Sequence, residues 1–307
     1  MRFSWIRPFT VWWPRYTGAA ALAQLSPRAR RALRVGWSLL LLALGAGLCW
    51  RTARGSDWRQ AWHAGTAVGA PLALLLALPA VSLFVKSLGW RSLLPAALRP
   101  SVSRAYATFV AAQGINELGF SVLGEPLKVL VLPAAERATA VRAVAADNAV
   151  AFAALLALLL TLSCCANPWA LALVAALALA LVACGARVSP YLVGFSAHYL
   201  GKLWLVVELG LGLHFLGQPA LLGAAPLAFA WSTAAALGAA VPGQLGVVEA
   251  ALVHSGSALG LALPSLLALA LIRRLRALCW LVLGLLLAIR ILKRNHHEVS
   301  DVSIATA

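Results

Sequence analysis

Acidic residues are scarce in this sequence. Its 307 residues include nine Asp and Glu against 25 Lys and Arg, and charged residues together make up only 11% of the chain. Soluble globular domains average about 25% charged residues. No long polar stretch interrupts residues 35–292, so there is also no room in that range for a separate soluble domain. These absences exclude a soluble globular protein.

Recognisable catalytic and metal-binding motifs are missing as well. The chain has no HExxH motif, no aspartate-rich cluster and no phosphate-binding loop of the Walker type. Its five cysteines fall within or beside apolar runs without the spacing of metal ligands, which is typical of small buried hydrophobic residues. No module that combines aromatic and basic residues for nucleic-acid binding is present either. We therefore expect no enzyme activity, no metal, no cofactor and no nucleic-acid partner.

Hydrophobic residues dominate the chain instead, at 62% of the sequence with a mean hydropathy of +0.88. Crossing the bilayer core takes about 20 apolar residues, and apolar runs near this length recur between Val35 and Leu292. The pattern predicts an all-α polytopic membrane protein with about 6–8 transmembrane helices. The apolar segments cover residues 35–50, 61–88, 105–132, 138–163, 168–186, 190–217, 220–241, 246–262 and 264–292.

Basic residues are distributed unevenly and set the expected topology. Residues 1–34 carry seven arginines together with several tryptophans, which predicts a basic, aromatic segment at the cytoplasmic face. The region 86–104, which begins with Lys86, is typical of an inner loop. Residues 35–292 then form the transmembrane domain, and the polar tail at 293–307 is also expected inside. The net charge of +16 fits this topology and contact with anionic lipid heads, and the expected location is the inner membrane of a bacterium.

Two of the apolar stretches are interrupted by helix-breaking residues. Segment 105–132 contains Asn116–Gly119 and Gly124–Pro126, and the later pair of segments is split by Val241–Gly246. Each interrupted stretch fits either a re-entrant helical hairpin or a pair of complete spans. The two breaks are alike, and paired breaks in two halves indicate a transporter built from an inverted repeat. Helices that begin after Gly124 and Gly246 would direct free N–H groups, which attract anions, into the breaks.

Five of the nine acids lie inside apolar segments, where a charge at the bilayer centre costs about 2.5–3.5 kcal/mol. They must therefore face protein or water, and basic side chains in the same segments are available to compensate them. Together these residues predict a polar cavity enclosed by apolar helices. Two alternatives stay open: ion pairs that only hold the helices together, and a basic cluster at 273–276 that marks a membrane face. The acids are Glu117, Glu125, Asp147, Glu208 and Glu249, and the bases are Lys128, His198, Lys202, Arg273, Arg274 and Arg276.

The two interrupted stretches resemble a known family. The run Gly124–Lys128, preceded by Asn116, resembles the N…GE-x-x-R/K element of the transmembrane region of lysylphosphatidylglycerol synthases, also called the flippase-like domain family. The run Val241–Ala250 is similar to that family's P-G-G-x-G-x-x-E element. The resemblance covers most of residues 35–292. Lys128 replaces a usual arginine, which removes the bidentate fork that suits a phosphate.

This resemblance implies a lipid flippase or transporter that admits a polar head group while the acyl chains stay in the bilayer. Cations and helix termini would hold phosphate, and acids would contact an amine or hydroxyl or carry a coupled proton. The aminoacyl-transferring domain of fused members is not expected here, and related stand-alone members include ones associated with hopanoid biosynthesis. The implied site comprises Asn116, Glu117, Gly124, Glu125, Lys128, Asp147, Pro242, Gly243, Gly246, Glu249, Arg273 and Arg274, with His198, Lys202 and Glu208 as secondary candidates.

Two other functions stay open at this level. The protein could be a membrane-embedded enzyme acting on lipid or polyprenyl substrates, or a non-transporting partner of an envelope-lipid complex. In every case the expected partners are membrane lipids with an anionic or amine-bearing head group, together with lipid-biosynthesis enzymes.

Overall fold

The computed structural model describes residues 58–117, 124–164, 168–184, 189–218 and 247–305, together with residues 26, 226, 228–230, 232 and 233. Within these residues the regular structure is entirely helical. The delimited α-helices are α1 (Trp58–Ala67), α2 (Pro71–Ala77), α3 (Pro79–Leu93), α4 (Val102–Glu117), α5 (Glu125–Leu130), α6 (Arg137–Cys164), α7 (Pro168–Cys184), α8 (Pro190–Phe215), α9 (Val247–Ala258) and α10 (Leu263–Ala305).

Several of these helices are long and apolar enough to cross a membrane. Large apolar side chains point outward from them; Leu160 on α6 is 66% exposed and Val282 on α10 is 58% exposed. Outward-facing leucine and valine suit hydrocarbon and would be costly in water. The prediction of a helical membrane protein is therefore confirmed. The candidate spans in the described residues are Pro71–Leu93, Arg137–Leu162, Pro190–Phe215 and Leu263–Lys293.

The first of these spans is interrupted at Pro79, which separates α2 from α3. Proline has no N–H to donate, so the series of helical hydrogen bonds is interrupted there. Two tryptophans supply further donors. The indole N–H of Trp280 donates to the carbonyl of Leu76 at 2.9 Å, and that of Trp204 donates at 2.9 Å to the carbonyl of Leu78, which also accepts from the N–H of Val81 at 3.2 Å. The interruption is tolerated because α8 and α10 satisfy its backbone.

Helix α5 begins at Glu125 with Pro126 in its first turn, which is where proline costs no hydrogen bond. The N–H of Gly124 donates to Oδ1 of Asn116 at 2.7 Å. A Cβ at Gly124 would overlap the backbone of Ala112, so only glycine lets the chain pass this close to α4. The second predicted break, at 241–246, lies outside the described residues, as does the predicted segment 35–50.

Helix α10 runs without interruption through the basic cluster at 273–276 and on to Ala305, so the predicted polar tail continues this helix. It comes close to α4 at Gly284. A Cβ built on Gly114 of α4 would lie 2.7 Å from the Cα of Gly284 and 2.8 Å from the carbonyl oxygen of Trp280. Small residues of this kind let helix backbones approach each other where no hydrophobic effect drives association.

Replacing Gly114 by alanine should lower stability, because the added methyl group meets backbone atoms that cannot move away cheaply. We expect a loss of about 1–3 kcal/mol, the usual cost of overpacking, measured as a lower midpoint of unfolding in detergent. Gly65→Ala is the matched control, since its nearest contact would be an ordinary 3.9 Å from the Cβ of Ala268. Equal midpoints for the two variants would contradict the close packing of α4 on α10.

Candidate functional site

A closed network of ionisable side chains joins α5, α6 and α8. Asp147 is its centre: Oδ2 accepts a hydrogen bond from Nζ of Lys128 at 2.9 Å, and Oδ1 lies 2.6 Å from Nε2 of His198. Nζ of Lys128 also lies 3.0 Å from Oε2 of Glu125. This contact is an ion pair without the geometry of a hydrogen bond. We call these four residues the Asp147 network.

The Asp147 network is almost sealed from solvent. Its four side chains are each no more than 5% exposed. The ammonium of Lys128 also lies over the ring of Phe109 on α4, 4.2 Å from its centroid, which favours the cation further. A buried ion pair stabilises a fold only when its remaining polar atoms are satisfied. Here both oxygens of Asp147 are paired, so the contacts of Asp147 can fix α5 against α6 and α8, whereas Oε2 of Glu125 has the ion pair with Lys128 and no hydrogen bond.

A second polar region is open. A cavity of about 250 Å³ lies between α3, α4, α9 and α10, with one side chain from α8. Four cations line it against two carboxylates. We call it the cation-rich cavity, and its charged and polar lining residues are Ser82, Lys86, Gln113, Glu117, Glu249, Arg273, Arg274, Arg276 and Trp280.

The carboxylates of this region are engaged. A guanidinium N–H of Arg274 donates to Oε2 of Glu249 at 2.7 Å. Outside the cavity lining, Oε2 of Glu208 accepts from Arg276 at 2.6 Å. The carboxylate of Glu117 accepts a hydrogen bond at 2.9 Å from the side-chain amide of Gln113, one turn earlier on α4. The two arginine contacts hold α10 against α9 and α8, whereas the contact of Glu117 lies within α4.

Lys86 and Arg273 behave differently. Among the described residues, neither cation has a carboxylate oxygen within 4.0 Å. The stem of Lys86 lies flat against Gly201 of α8, where a Cβ would come within 2.7 Å of its Cε. Arg273 also lines a smaller cavity of about 60 Å³ beside Glu208 and Phe229.

The structure separates the predicted site residues into two groups. Glu125, Lys128 and Asp147 belong to the closed network, which includes the secondary candidate His198. Glu117, Glu249, Arg273 and Arg274 line the cavity. Glu125 and Glu249, expected in one cavity, therefore have different surroundings. Gly124 donates a backbone hydrogen bond to the side chain of Asn116. Of the secondary candidates, Glu208 lines the smaller cavity and Lys202 lines neither cavity. Pro242, Gly243 and Gly246 lie outside the described residues.

Lys86 and Arg276 line the cavity but are not among the predicted site residues. Arg276 was counted among the available bases, whereas Lys86 was counted as the start of an inner loop and lies within the span Pro71–Leu93. A signal was present: Pro79, Ser82, Leu83 and Lys86 follow the i, i+3, i+4, i+7 spacing of one helical face, and all four line the cavity. A serine and a lysine on one helical face that begins at a proline inside an apolar run could have identified Lys86 as a lining residue.

Comparisons with known proteins assign no family. No protein-family model matches the chain, and no curated protein or solved structure shows significant similarity to it. The resemblance to the flippase-like family therefore stays a prediction. Within the described part of the chain, no group of three or more His, Cys, Asp or Glu residues is arranged to hold a metal ion.

The Asp147 network makes a prediction about stability. Lys128→Met should cost about 3–5 kcal/mol of unfolding free energy, because two buried carboxylates lose their cation. Arg142→Met, at an exposed position of α6, is the control and should change stability by less than about 0.5 kcal/mol. Thermal unfolding in detergent measures both.

Adding Asp147→Asn to Lys128→Met should recover part of the loss, since one uncompensated charge is removed. A Lys128→Met protein as stable as the wild type would show that the network does not hold α5 in place.

Proposed function

We propose that the protein is an integral membrane lipid transporter of the flippase type, which moves a phospholipid or related polar-headed lipid through the cation-rich cavity. The observation that carries this proposal is the cavity itself: about 250 Å³ of space lined by four cations, between helices whose outer faces are apolar. Charged side chains inside membrane helices are expensive and mark pathways for polar solutes.

The two faces of α10 support a lipid over a soluble solute. Ala277 and Trp280 line the cavity, whereas Leu278 and Val282 on the same helix are 59% and 58% exposed. A molecule with a charged head and apolar chains matches both surfaces. The head group occupies the cavity and the chains lie along the outer face. The cavity is smaller than the roughly 300–1,000 Å³ of sites that enclose whole ligands, which also suits a head group alone.

The finer architecture belongs to the same proposal. Six to eight spans, with two broken or re-entrant hairpins related as an inverted repeat, would place breaks on both sides of the cavity. Support comes from the interruption before α5 and from Glu249, which lies in the first turn of α9 and lines the cavity. The Asp147 network would then keep the first break in position next to the transport path.

Membership of the flippase-like family, a bacterial inner-membrane location and cytoplasmic termini complete the proposal. The sequence motifs and the distribution of basic residues support them. Movement would follow a gradient or the lipid's own concentration difference, and enzymes that make the lipid are the proposed partners. No chemical step is proposed for the transporter.

Reconstitution tests this function. In liposomes containing labelled phospholipids, the wild-type protein should move lipid between leaflets faster than protein-free vesicles do. Glu249→Gln should slow this movement about tenfold, which corresponds to about 1.4 kcal/mol more in the barrier to release. The amide cannot balance Arg274, which would then retain the lipid phosphate and slow its release.

Glu136→Gln is the control, because Glu136 precedes α6 in a short turn and lines neither cavity. Lipid movement no faster than in empty vesicles would show that the proposed function is wrong. Movement that is unaffected by Glu249→Gln would remove the cavity from the transport path.

A further inference from the structure

We infer that the cation-rich cavity binds a phosphate anion through Lys86 and Arg273, so that the transported lipid has a head group with net negative charge. The inference deepens the proposed function and rests on it only for the source of the phosphate. Phosphate on a lipid and free phosphate offer the same anionic oxygens to these two side chains.

The two carboxylates of the cavity decide whether the head group could be an amine. Glu249 is bonded to Arg274 at 2.7 Å, and Glu117 accepts from the amide of Gln113 at 2.9 Å. An ammonium head group would have to displace Arg274 or compete for Glu117, and it would add a fifth cation to the lining. The two carboxylates do not offset the four cations present, so the cavity disfavours positive ligands.

The four cations of the cavity differ in whether they hold a carboxylate. Arg274 and Arg276 each hold a carboxylate. Lys86 and Arg273 hold none within 4.0 Å among the described residues, and neither has a hydrogen bond to a described partner. A guanidinium and an ammonium that hold no carboxylate can direct their N–H groups to phosphate oxygens, which is the usual means of binding phosphate.

The electrostatic environment of Lys86 also favours an anion. Lys86 shares the cavity lining with three arginines and two carboxylates, so positive groups outnumber negative ones around it. Lys86 thus lies in a region of like charge with its stem held against α8. An anion at this position would offset the repulsion, whereas a neutral ligand would leave it unchanged.

The uncharged donors of the lining already donate to protein groups. The hydroxyl of Ser82 donates to the carbonyl of Gly201 at 2.9 Å, and the indole of Trp280 donates to the carbonyl of Leu76. The amide of Gln113 is bonded to Glu117. Lys86 on α3 and Arg273 on α10 are therefore the cations of the lining that hold no carboxylate, and they approach the same cavity from two different helices.

Binding measurements on the purified protein test the inference. In neutral detergent, inorganic phosphate and glycerol 3-phosphate are titrated by calorimetry; in nanodiscs of phosphatidylcholine, added phosphatidic acid is measured by competition with a labelled anionic lipid. Lys86→Met and Arg273→Gln should each weaken binding about tenfold or more, since hydrogen bonds to charged groups contribute about 1.5–3 kcal/mol. Arg142→Gln, outside the cavity, should have no effect. Lys86→Arg keeps the charge and should retain most of the binding, which separates loss of the site from misfolding.

The outcomes separate this inference from the proposed function. Binding of phosphatidic acid that both variants weaken supports the two together. Binding of the soluble phosphates alone supports the anion site and overturns the lipid as its source. Transport of phosphatidylcholine at the rate of phosphatidic acid, with no phosphate binding, overturns the anion site and leaves the lipid transporter. Phosphate and lipid binding equal in wild type, Lys86→Met and Arg273→Gln would assign the anion to other residues and overturn the inference.

Discussion

The structure depends on one constraint: charges and interrupted backbone inside an apolar helix bundle must find their partners within the protein. Insertion of a single charge at the bilayer centre costs about 2.5–3.5 kcal/mol, and water is not present there to satisfy a free carbonyl. Asp147 shows the constraint for charge, because both of its carboxylate oxygens have a partner. Pro79 shows it for backbone, because indole groups of two other helices donate to the carbonyls beside it.

The same constraint separates structural charges from functional ones. In the Asp147 network every side chain is paired with another member of the network. The pairs of Asp147 with Lys128 and His198 connect α6 to α5 and α8, so these charges have a structural role. In the cation-rich cavity the positive charges exceed the negative ones, and Lys86 and Arg273 keep no acid partner among the described residues. An unbalanced charge is tolerable only where water or a ligand reaches it. In the proposed function, the lipid head group is the ligand that reaches these excess cations.

Composition and local pattern were enough to predict the helical membrane fold, the buried acids and the start of a helix at Glu125, since these depend on neighbours within a few residues. The pairing of charges could not be predicted. Lys128 and Asp147 are 19 positions apart, and Arg276 and Glu208 are 68 apart, so their contacts depend on how helices pack. Lys86 was placed in a loop for the same reason: nearness to the end of an apolar run suggests an interface, and only the packing of α3 on α8 shows that its side chain turns inward.

The two polar regions share a helix. His198 of the Asp147 network and Gly201, against which the stem of Lys86 lies, are three residues apart on α8. Residues at this spacing lie within one turn of a helix. The bond between His198 and Asp147 that joins α8 to α6 therefore also helps to position the part of α8 on which Lys86 rests, and this gives a physical reason for a sealed ion network in the same bundle as the cavity.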